Sequence, residues 1–153
     1  MREEVTVTMA APAEEIWDLV SDVTRIGEFS PETFEAKWVD GATGPAVGAK
    51  FRGHVKRNEI GPNYWTPCTV LVCEPGREFT FGVGNAEKPL SRWGYKLAPN
   101  ADGVSTDVTE TFELAPVIWL RAYWAVMGWA RGKRNRNDMR RTLEAVKAVV
   151  EKP

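Results

Sequence analysis

The sequence predicts an α+β fold in which a curved antiparallel sheet of about seven strands wraps one long C-terminal helix. Three observations predict it. Short runs of alternating apolar and polar residues, separated by turn residues, follow one another from residue 33 to residue 114. No proline occurs between Pro116 and Pro153, which leaves room for a helix of about 30 residues. The sheet must bury its apolar face, and only this helix is long enough to cover it.

The chain begins with an alternating strand and a short amphipathic helix. Apolar residues alternate with threonine up to Met9, and Ala-Ala-Pro then ends the strand at Pro12. Proline suits the first turn of a helix, and the two glutamates after it lie where the helix dipole favours negative charge. Apolar residues at helical spacing predict a helix that ends near Asp22, and residues 24–29 predict one further short turn.

Six further strands are predicted after the short helices, and glycine, proline, asparagine or aspartate marks the turns between them. The predicted strands are 33–40, 47–57, 64–74, 77–84, 90–98 and 103–114. The sequence shows no internal repeat, low-complexity tract or linker, and its 153 residues match the usual size of one domain. We therefore expect residues 1–153 to form a single domain.

The charge composition argues against a protein that coats nucleic acid. The chain has 20 Lys and Arg against 21 Asp and Glu, a formal net charge of −1, so it lacks a strong field of either sign. Glu3 and Glu4 interrupt the N-terminus, which lacks the apolar run of a signal peptide. Arg121 interrupts the longest apolar stretch, 114–130, so stable membrane insertion is not expected. We expect a cytoplasmic monomer or homodimer with no nucleic-acid partner.

The histidine and cysteine content predicts neither a metal site nor a cofactor. The chain has one histidine, His54, and two cysteines, Cys68 and Cys73, which are too few to form a zinc site. Strand alternation places His54 on the polar side of its strand, facing solvent. The same alternation places the two cysteines on opposite faces of one strand, so a disulfide between them is not expected.

Six short strings of residues, taken in order, cover nearly the whole chain. They are Ala-Pro-Ala-Glu-Glu-Ile-Trp at 11–17, Ser-Asp-Val-Thr-Arg at 21–25, Phe-Ser-Pro-Glu at 29–32, Gly-Ala-Lys-Phe-Arg-Gly at 48–53, Cys-Glu-Pro-Gly-Arg-Glu-Phe at 73–79 and Val-Thr-Glu-Thr-Phe at 108–112. Together they resemble the START-like (SRPBCC) superfamily, and within it a group of small bacterial polyketide cyclase/dehydrase-like proteins. The resemblance implies the helix-grip fold and a pocket. It implies no single reaction, because this superfamily contains lipid carriers, hormone receptors and aromatases.

One polar residue on an apolar strand face indicates where that pocket would lie. In the strand 103–114, Glu110 shares its face with Val108 and Phe112. An isolated buried charge is costly, so this carboxyl must find a partner, reach water or take up a proton. Three roles remain open for Glu110. It orients a ligand, it acts in acid/base chemistry, or it pairs with an arginine such as Arg92 and has no chemical role.

The predicted ligand-binding residues come from the inward strand faces and from the last helix. Ala125 and Gly128 lie on a face of that helix whose small residues would leave room beside the sheet. The chain also has seven tryptophans, which can wall a cavity for an apolar guest. The alternative is that the protein's own aromatic side chains fill this space. The full set is Trp38, Phe51, Val70, Phe81, Trp93, Tyr95, Thr106, Val108, Glu110, Ala125 and Gly128.

The sequence favours a protein that binds or carries a small hydrophobic molecule, such as a lipid, a polyketide-like compound or an aromatic compound. Glu110 and Tyr95 are its candidate polar contacts. An enzyme of the cyclase/dehydratase type is the first alternative, but it needs two proton-transfer groups, and Glu110 is the main catalytic candidate. A module that contacts a protein or, weakly, a membrane surface is the second alternative, since six basic residues cluster between 131 and 141.

Overall fold

The computed structural model describes residues 2–56, 62–115 and 118–152, and for residues 118–133 it describes the backbone only. The strands are Arg2–Met9 (β1), Thr33–Val39 (β2), Lys50–Lys56 (β3), Asn63–Glu74 (β4), Glu78–Val83 (β5), Ser91–Pro99 (β6) and Thr106–Leu114 (β7). The helices are Ala13–Val20 (α1), a 3₁₀ helix at Val23–Glu28, and Ile118–Val150 (α2). These strands form one antiparallel sheet in the order β1-β7-β6-β5-β4-β3-β2, so the predicted α+β fold is confirmed.

The two short helices form where the sequence places their caps. Pro12 precedes α1 with extended backbone, and two glutamates lie in the first turn of α1. Ser21 ends α1, because its amide N–H and its hydroxyl both donate to the carbonyl oxygen of Trp17, at 2.9 and 2.6 Å. The side chain of Asp22 then accepts a hydrogen bond from the amide two residues further on, and so caps the 3₁₀ helix.

The C-terminal half of α2 packs on the apolar inner face of the sheet. Met139, Leu143 and Val146 recur at helical spacing, and each is at most 1% exposed. This helix contacts β1, β7 and α1. The predicted packing face of the last helix is therefore confirmed for these residues.

Two of the predicted strands begin too early. The strand predicted from residue 47 begins at Lys50, and Val47 lies in the preceding loop with 69% of its surface exposed. The strand predicted from residue 103 begins at Thr106, and Val104 is also 69% exposed. Asp102 explains the second case, because its side chain accepts a hydrogen bond from the amide of Val104 and holds it in a turn.

A β-bulge in β4 places both cysteines on the same face of the sheet, contrary to the prediction. The register between β4 and β5 shifts after Val70, so Cys68 pairs with Val83 and Cys73 pairs with Phe79, both on the inner face. The prediction that the cysteines lie on opposite faces is wrong. Both thiols are free. Five residues of extended strand separate their α-carbons by roughly 16 Å, beyond the reach of a disulfide.

Candidate ligand-binding face

The register of the sheet arranges the inner-face side chains in rows that cross the strands, because directly paired residues lie on the same face about 5 Å apart. The first row is Trp38, Phe51, Cys68, Val83, Ser91 and Leu114; the second is Val70, Phe81, Trp93, Phe112 and Glu3; the third is Cys73, Phe79, Tyr95, Glu110 and Val5. The fourth is Leu97, Val108 and Val7, and the fifth is Pro99, Thr106 and Met9. We call the first two rows the half-covered end and the last two the packed end.

At the packed end, Leu97, Val108, Val7 and Met9 are at most 7% exposed, whereas Pro99 at the end of β6 is exposed. Met9 and Val108 are 0% exposed. Thr106 is also buried, and its hydroxyl donates to the carbonyl oxygen of Ala11 at 2.8 Å, a bond that holds the start of α1 against β7. Two of the predicted ligand-binding residues, Thr106 and Val108, therefore lie at the packed end, where Val108 adjoins Glu110 in the third row.

At the half-covered end, several apolar side chains face inward and yet remain only partly buried. They are Trp38, Val83 and Leu114 in the first row and Phe81 and Trp93 in the second. Phe51 links the two rows, because its ring lies 5.7 Å from that of Trp38 and 5.1 Å from that of Phe81, centroid to centroid. The ring centroids of Trp93 and Phe112 are 4.5 Å apart. The two groups of rings adjoin at the cross-strand pair Phe81 and Trp93, and together they form an aromatic wall that is still in part accessible.

The α2 side of this wall falls on residues whose side chains lie outside the described part of the chain. Ala125 and Gly128, the two predicted ligand-binding residues on α2, also lie where only the backbone is described, so their prediction is not tested. The backbone of α2 begins at Ile118, four residues after Leu114 at the half-covered end. Four residues span at most about 14 Å, so α2 starts next to this end of the sheet.

Glu110 lies in the third row, between the two ends. It is 4% exposed, and its neighbours on the face are Tyr95 on β6, Val5 on β1, and Val108 and Phe112 along its own strand. No described residue donates a hydrogen bond to its buried Oε2 atom. The prediction that Glu110 points inward with the apolar residues is confirmed.

The surroundings of Glu110 favour its neutral form. Burial raises the pKa of the Glu110 carboxyl well above its ordinary value, and the nearby carboxylate of Asp138 on α2 raises it further. Burial likewise raises the pKa of the Tyr95 phenol well above its ordinary value, and Glu110 adds to this shift. The protonated form of each group is therefore favoured, and in that form each can donate a hydrogen bond.

The alternative role, in which Glu110 pairs with an arginine such as Arg92, does not hold for Arg92. Arg92 is exposed on the outer face of β6, opposite Glu113. Among the described residues, Arg136 on α2 reaches the edge of the inner face, where its Nη1 atom lies 3.0 Å from each carboxylate oxygen of Glu3. Sequence analysis missed this pair, although Glu3 continues the alternation of Val5 and so could have been placed on the inner face.

His54 lies on the outer face, as predicted, but its ring does not face open solvent. The ring centroids of Phe34 and Trp65 lie on either side of it, each at 4.3 Å, and the side chain is only 19% exposed. Its Nδ1 atom is 2.7 Å from Oε1 of Glu35. A bulge in β2 just before Glu35 adds one residue to the outer face and brings Phe34 beside the imidazole.

Two surface clefts are lined by described residues. One, of about 670 Å³, lies between residues 27–31 and α2 and includes Phe29 and Arg140; the other, of about 580 Å³, lies in residues 40–50. None of the predicted ligand-binding residues lines either cleft. Phe29 also packs edge-on against Tyr95, with ring centroids 6.4 Å apart, and so separates the first cleft from the third row.

The basic cluster is only partly available to a partner. The side chains of Arg131 and Lys133 lie outside the described part, and Arg134 and Arg140 are exposed. Arg136 is paired with Glu3 as above, and Arg141 lies 3.7 Å from Asp138. None of the described helices is both long enough and apolar enough to cross a membrane. Among the described residues, no three His, Cys, Asp or Glu side chains come together to hold a metal ion.

A curved antiparallel sheet that closes its apolar face on a C-terminal helix defines a helix-grip protein of the START-like class. The model of one family, described as polyketide cyclase / dehydrase and lipid transport, matches residues 2–151. The chain belongs to this family. No curated protein sequence matches the chain.

Solved structures agree with this assignment. A polyketide-cyclase-like protein of Corynebacterium glutamicum is 31% identical, with 98% of this chain and 85% of that chain covered and a TM-score of 0.54. A START superfamily protein of Mycobacterium smegmatis is 17% identical, with 98% and 97% covered and a TM-score of 0.73. A protein of Chromobacterium violaceum is also 17% identical, with 100% and 99% covered and a TM-score of 0.66. The last two show the fold alone.

Proposed function

We propose that the chain binds or carries a small hydrophobic molecule, such as a lipid, a polyketide-like compound or an aromatic compound, between the half-covered end of the sheet and α2. The observation that carries this proposal is the set of inward-facing apolar side chains that remain half-buried, among them Trp38, Phe81 and Trp93. Apolar surface left in contact with water costs roughly 2.5 kcal/mol for every 100 Å². An apolar guest removes that surface from water.

The aromatic wall and the family description both support this proposal. Flat rings present π faces to an apolar or aromatic guest at little cost in side-chain entropy, because each ring has few rotatable bonds. The family description includes lipid transport, and the relative from Corynebacterium glutamicum is described as polyketide-cyclase-like. The ligand-binding set of the proposal is Trp38, Phe51, Val70, Phe81, Trp93, Tyr95 and Glu110 on the sheet, with Ala125 and Gly128 on α2.

A titration with N-phenyl-1-naphthylamine tests the proposal, because this uncharged apolar probe fluoresces strongly when it leaves water. The full chain is expected to bind it. Trp38→Leu is expected to weaken binding about fivefold to tenfold, since one aromatic contact is worth about 1 kcal/mol. Trp65→Leu is the matched control, because Trp65 lies on the outer face and is 41% exposed. Failure of the full chain to bind, or equal losses in both variants, contradicts the proposal.

Native mass spectrometry of the full chain purified from cells addresses the natural guest. A bound hydrophobic molecule is expected as a mass increment that disappears on denaturation. Its mass and fragments would then assign it to the lipid, polyketide-like or aromatic class. A guest of the same mass that remains bound to Trp38→Leu at full occupancy would place the binding site elsewhere.

Binding is favoured over acid/base catalysis at Glu110. Ring closure and dehydration require one group that takes up a proton and another that gives one. The raised pKa of Glu110 suits it to give a proton, and its neighbour Tyr95 has a raised pKa as well. The cyclase/dehydratase alternative therefore needs a base from outside this pair. If Glu110→Gln abolished turnover of a trial polyketide while leaving the fold intact, this alternative would replace simple binding.

A further inference from the structure

We infer that the third row selects an uncharged ligand that carries a hydrogen-bond-accepting oxygen, such as a ketone or aldehyde carbonyl, and rejects ligands that carry a carboxylate. This inference rests on the proposed function, because Glu110 and Tyr95 can select a ligand only if one binds at the adjoining half-covered end. It adds a chemical class to that function. The class is set by charge and by hydrogen bonding rather than by size.

The geometry of the row places two polar groups at the edge of the aromatic wall. Glu110 and Tyr95 are direct cross-strand partners, so their side chains leave the sheet side by side on the inner face. The neighbouring positions of the second row on the same two strands are Phe112 and Trp93, and Trp93 is half-buried. A guest that lies on the ring of Trp93 therefore extends towards the Glu110 carboxyl and the Tyr95 hydroxyl.

One oxygen of the Glu110 carboxyl has no hydrogen-bond partner among the described residues. This atom, Oε2, is buried. A buried polar group without a partner costs about 1–3 kcal/mol, which a ligand atom can recover by forming the missing bond. Because burial raises the pKa of Glu110 and so favours its protonated form, the ligand atom that fits is an acceptor such as a carbonyl oxygen. An aliphatic guest without oxygen leaves the carboxyl unsatisfied.

The charges around this row disfavour an anionic ligand. Asp138 on α2 is close enough to raise the pKa of Glu110, so a second negative charge here would be repelled as well as desolvated. The cation on the described inner face is Arg136, and both oxygens of Glu3 already lie 3.0 Å from its Nη1 atom. A buried carboxylate needs a cation or several donors. The described residues near this row offer a ligand carboxylate Arg136, which is already paired with Glu3, and the like charge of Asp138.

Three naphthalenes of nearly the same shape test the inference on the full chain at neutral pH. They are 2-acetylnaphthalene, a neutral ketone; 2-naphthoate, a carboxylate; and 2-ethylnaphthalene, which has no oxygen. Their dissociation constants are measured by displacement of N-phenyl-1-naphthylamine. The ketone is expected to bind at least about tenfold more tightly than the carboxylate. It is expected to bind at least about threefold more tightly than the ethyl compound, which is the gain from one net hydrogen bond.

Two variants of Glu110 connect the selectivity to this residue. Glu110→Gln keeps a neutral donor and is expected to retain the preference for the ketone over the ethyl compound, whereas Glu110→Leu is expected to lose it. Each preference is a ratio measured within one variant, so a change in the folded fraction does not alter it. If Glu110→Leu destabilises the chain, Tyr95→Phe provides a second variant. In it the preference for the ketone over the ethyl compound is expected to fall at least about twofold.

The outcomes separate this inference from the proposed function. If the ethyl compound binds but the carboxylate binds as tightly as the ketone, the inference is overturned and the proposed function stands. The same holds if Glu110→Leu keeps the full preference for the ketone. If neither the probe nor any of the three compounds binds, the proposed function fails, and the selectivity fails with it.

Discussion

The two ends of the inner face differ in how completely their apolar side chains are buried. At the packed end, Met9 and Val108 are 0% exposed, and the facing part of α2 contributes Leu143, which is also 0% exposed. At the half-covered end, Trp38 and Trp93 face inward and remain half-buried. The sheet is continuous between the ends, so this difference arises from the side chains and their cover rather than from the backbone hydrogen bonds.

This difference indicates that separate parts of one face carry stability and binding. Aliphatic side chains at the packed end interdigitate with α2 and α1, and close packing of this kind is sensitive to the loss of even one methylene group. At the half-covered end Trp38, Phe81 and Trp93 contact neighbouring rings and remain partly exposed, whereas the rings of Phe51 and Phe112 are buried. Substitutions at the packed end should therefore change stability most, and those at the half-covered end should change binding most.

The largest expected effect comes from truncating the same residue type at each end. Leu143→Ala removes a fully buried side chain and is expected to lower the free energy of unfolding by about 2–5 kcal/mol. Leu114→Ala removes a half-buried side chain of the first row and should cost less than half as much. Urea denaturation followed by circular dichroism measures both. Equal losses would show that the two ends are packed alike.

The next effect concerns Glu110, at the boundary between the ends, and it depends on pH. The pKa of Glu110 is higher in the folded chain than the value of about 4.3 expected in the unfolded chain. At a pH between these two pKa values, the folded chain therefore keeps a proton on Glu110 that the unfolded chain has released. The contribution of Glu110 to stability is therefore complete at low pH and is lost as pH rises towards the folded pKa. Relative to Glu110→Gln, the natural chain should lose about 1.4 kcal/mol per pH unit over that interval.

Urea denaturation at several pH values from about 4.5 to about 7.5, which is above the ordinary carboxyl pKa, measures this trend. Glu113→Gln is the matched control for the loss of one carboxylate, because Glu113 lies on the same strand but is exposed on the outer face. Parallel stability profiles for the natural chain and Glu110→Gln would mean that Glu110 ionises as it does in water.

The smallest effect comes from the ion pair between Arg136 and Glu3 at the edge of the second row. Arg136 is 51% exposed at its side chain and Glu3 is 12% exposed, so solvent screens the pair in part. Arg136→Met is expected to cost no more than about 1 kcal/mol, and most of this loss should vanish in concentrated salt. Arg140→Met is the control, since Arg140 is exposed and makes no ion pair with a described residue. A loss that salt leaves unchanged would assign the effect to packing instead.

The sequence predicted the inward position of Glu110 because β7 is regular. Its register with β6 runs without a shift from Thr106 to Leu114, so simple alternation assigns every side chain to the correct face. The same regularity on β5 and β6 gave the inward positions of Phe81, Trp93 and Tyr95. Alternation is a local property of extended backbone, and a single sequence is enough to apply it.

Two predictions failed where a bulge altered that alternation or its surroundings, namely that Cys73 faces away from Cys68 and that His54 faces open solvent. The bulge in β4 moves Cys73 to the inner face, and the bulge in β2 brings Phe34 beside His54. A bulge forms when two strands of unequal residue count must stay paired, so it depends on the partner strand. The pairing of Arg136 with Glu3 was missed for a related reason, since it joins residues that are distant in the chain.

The order of the strands and helices, the apolar spacing of α2 and the inward direction of Glu110 follow from the sequence by itself, because they depend on residues close together in the chain. The tertiary structure decided how completely each inward side chain is buried, that Arg136 pairs with Glu3, and that the pKa of Glu110 is raised by its surroundings. Burial and desolvation arise from segments that meet only in the folded chain, and alternation along one strand does not contain that information.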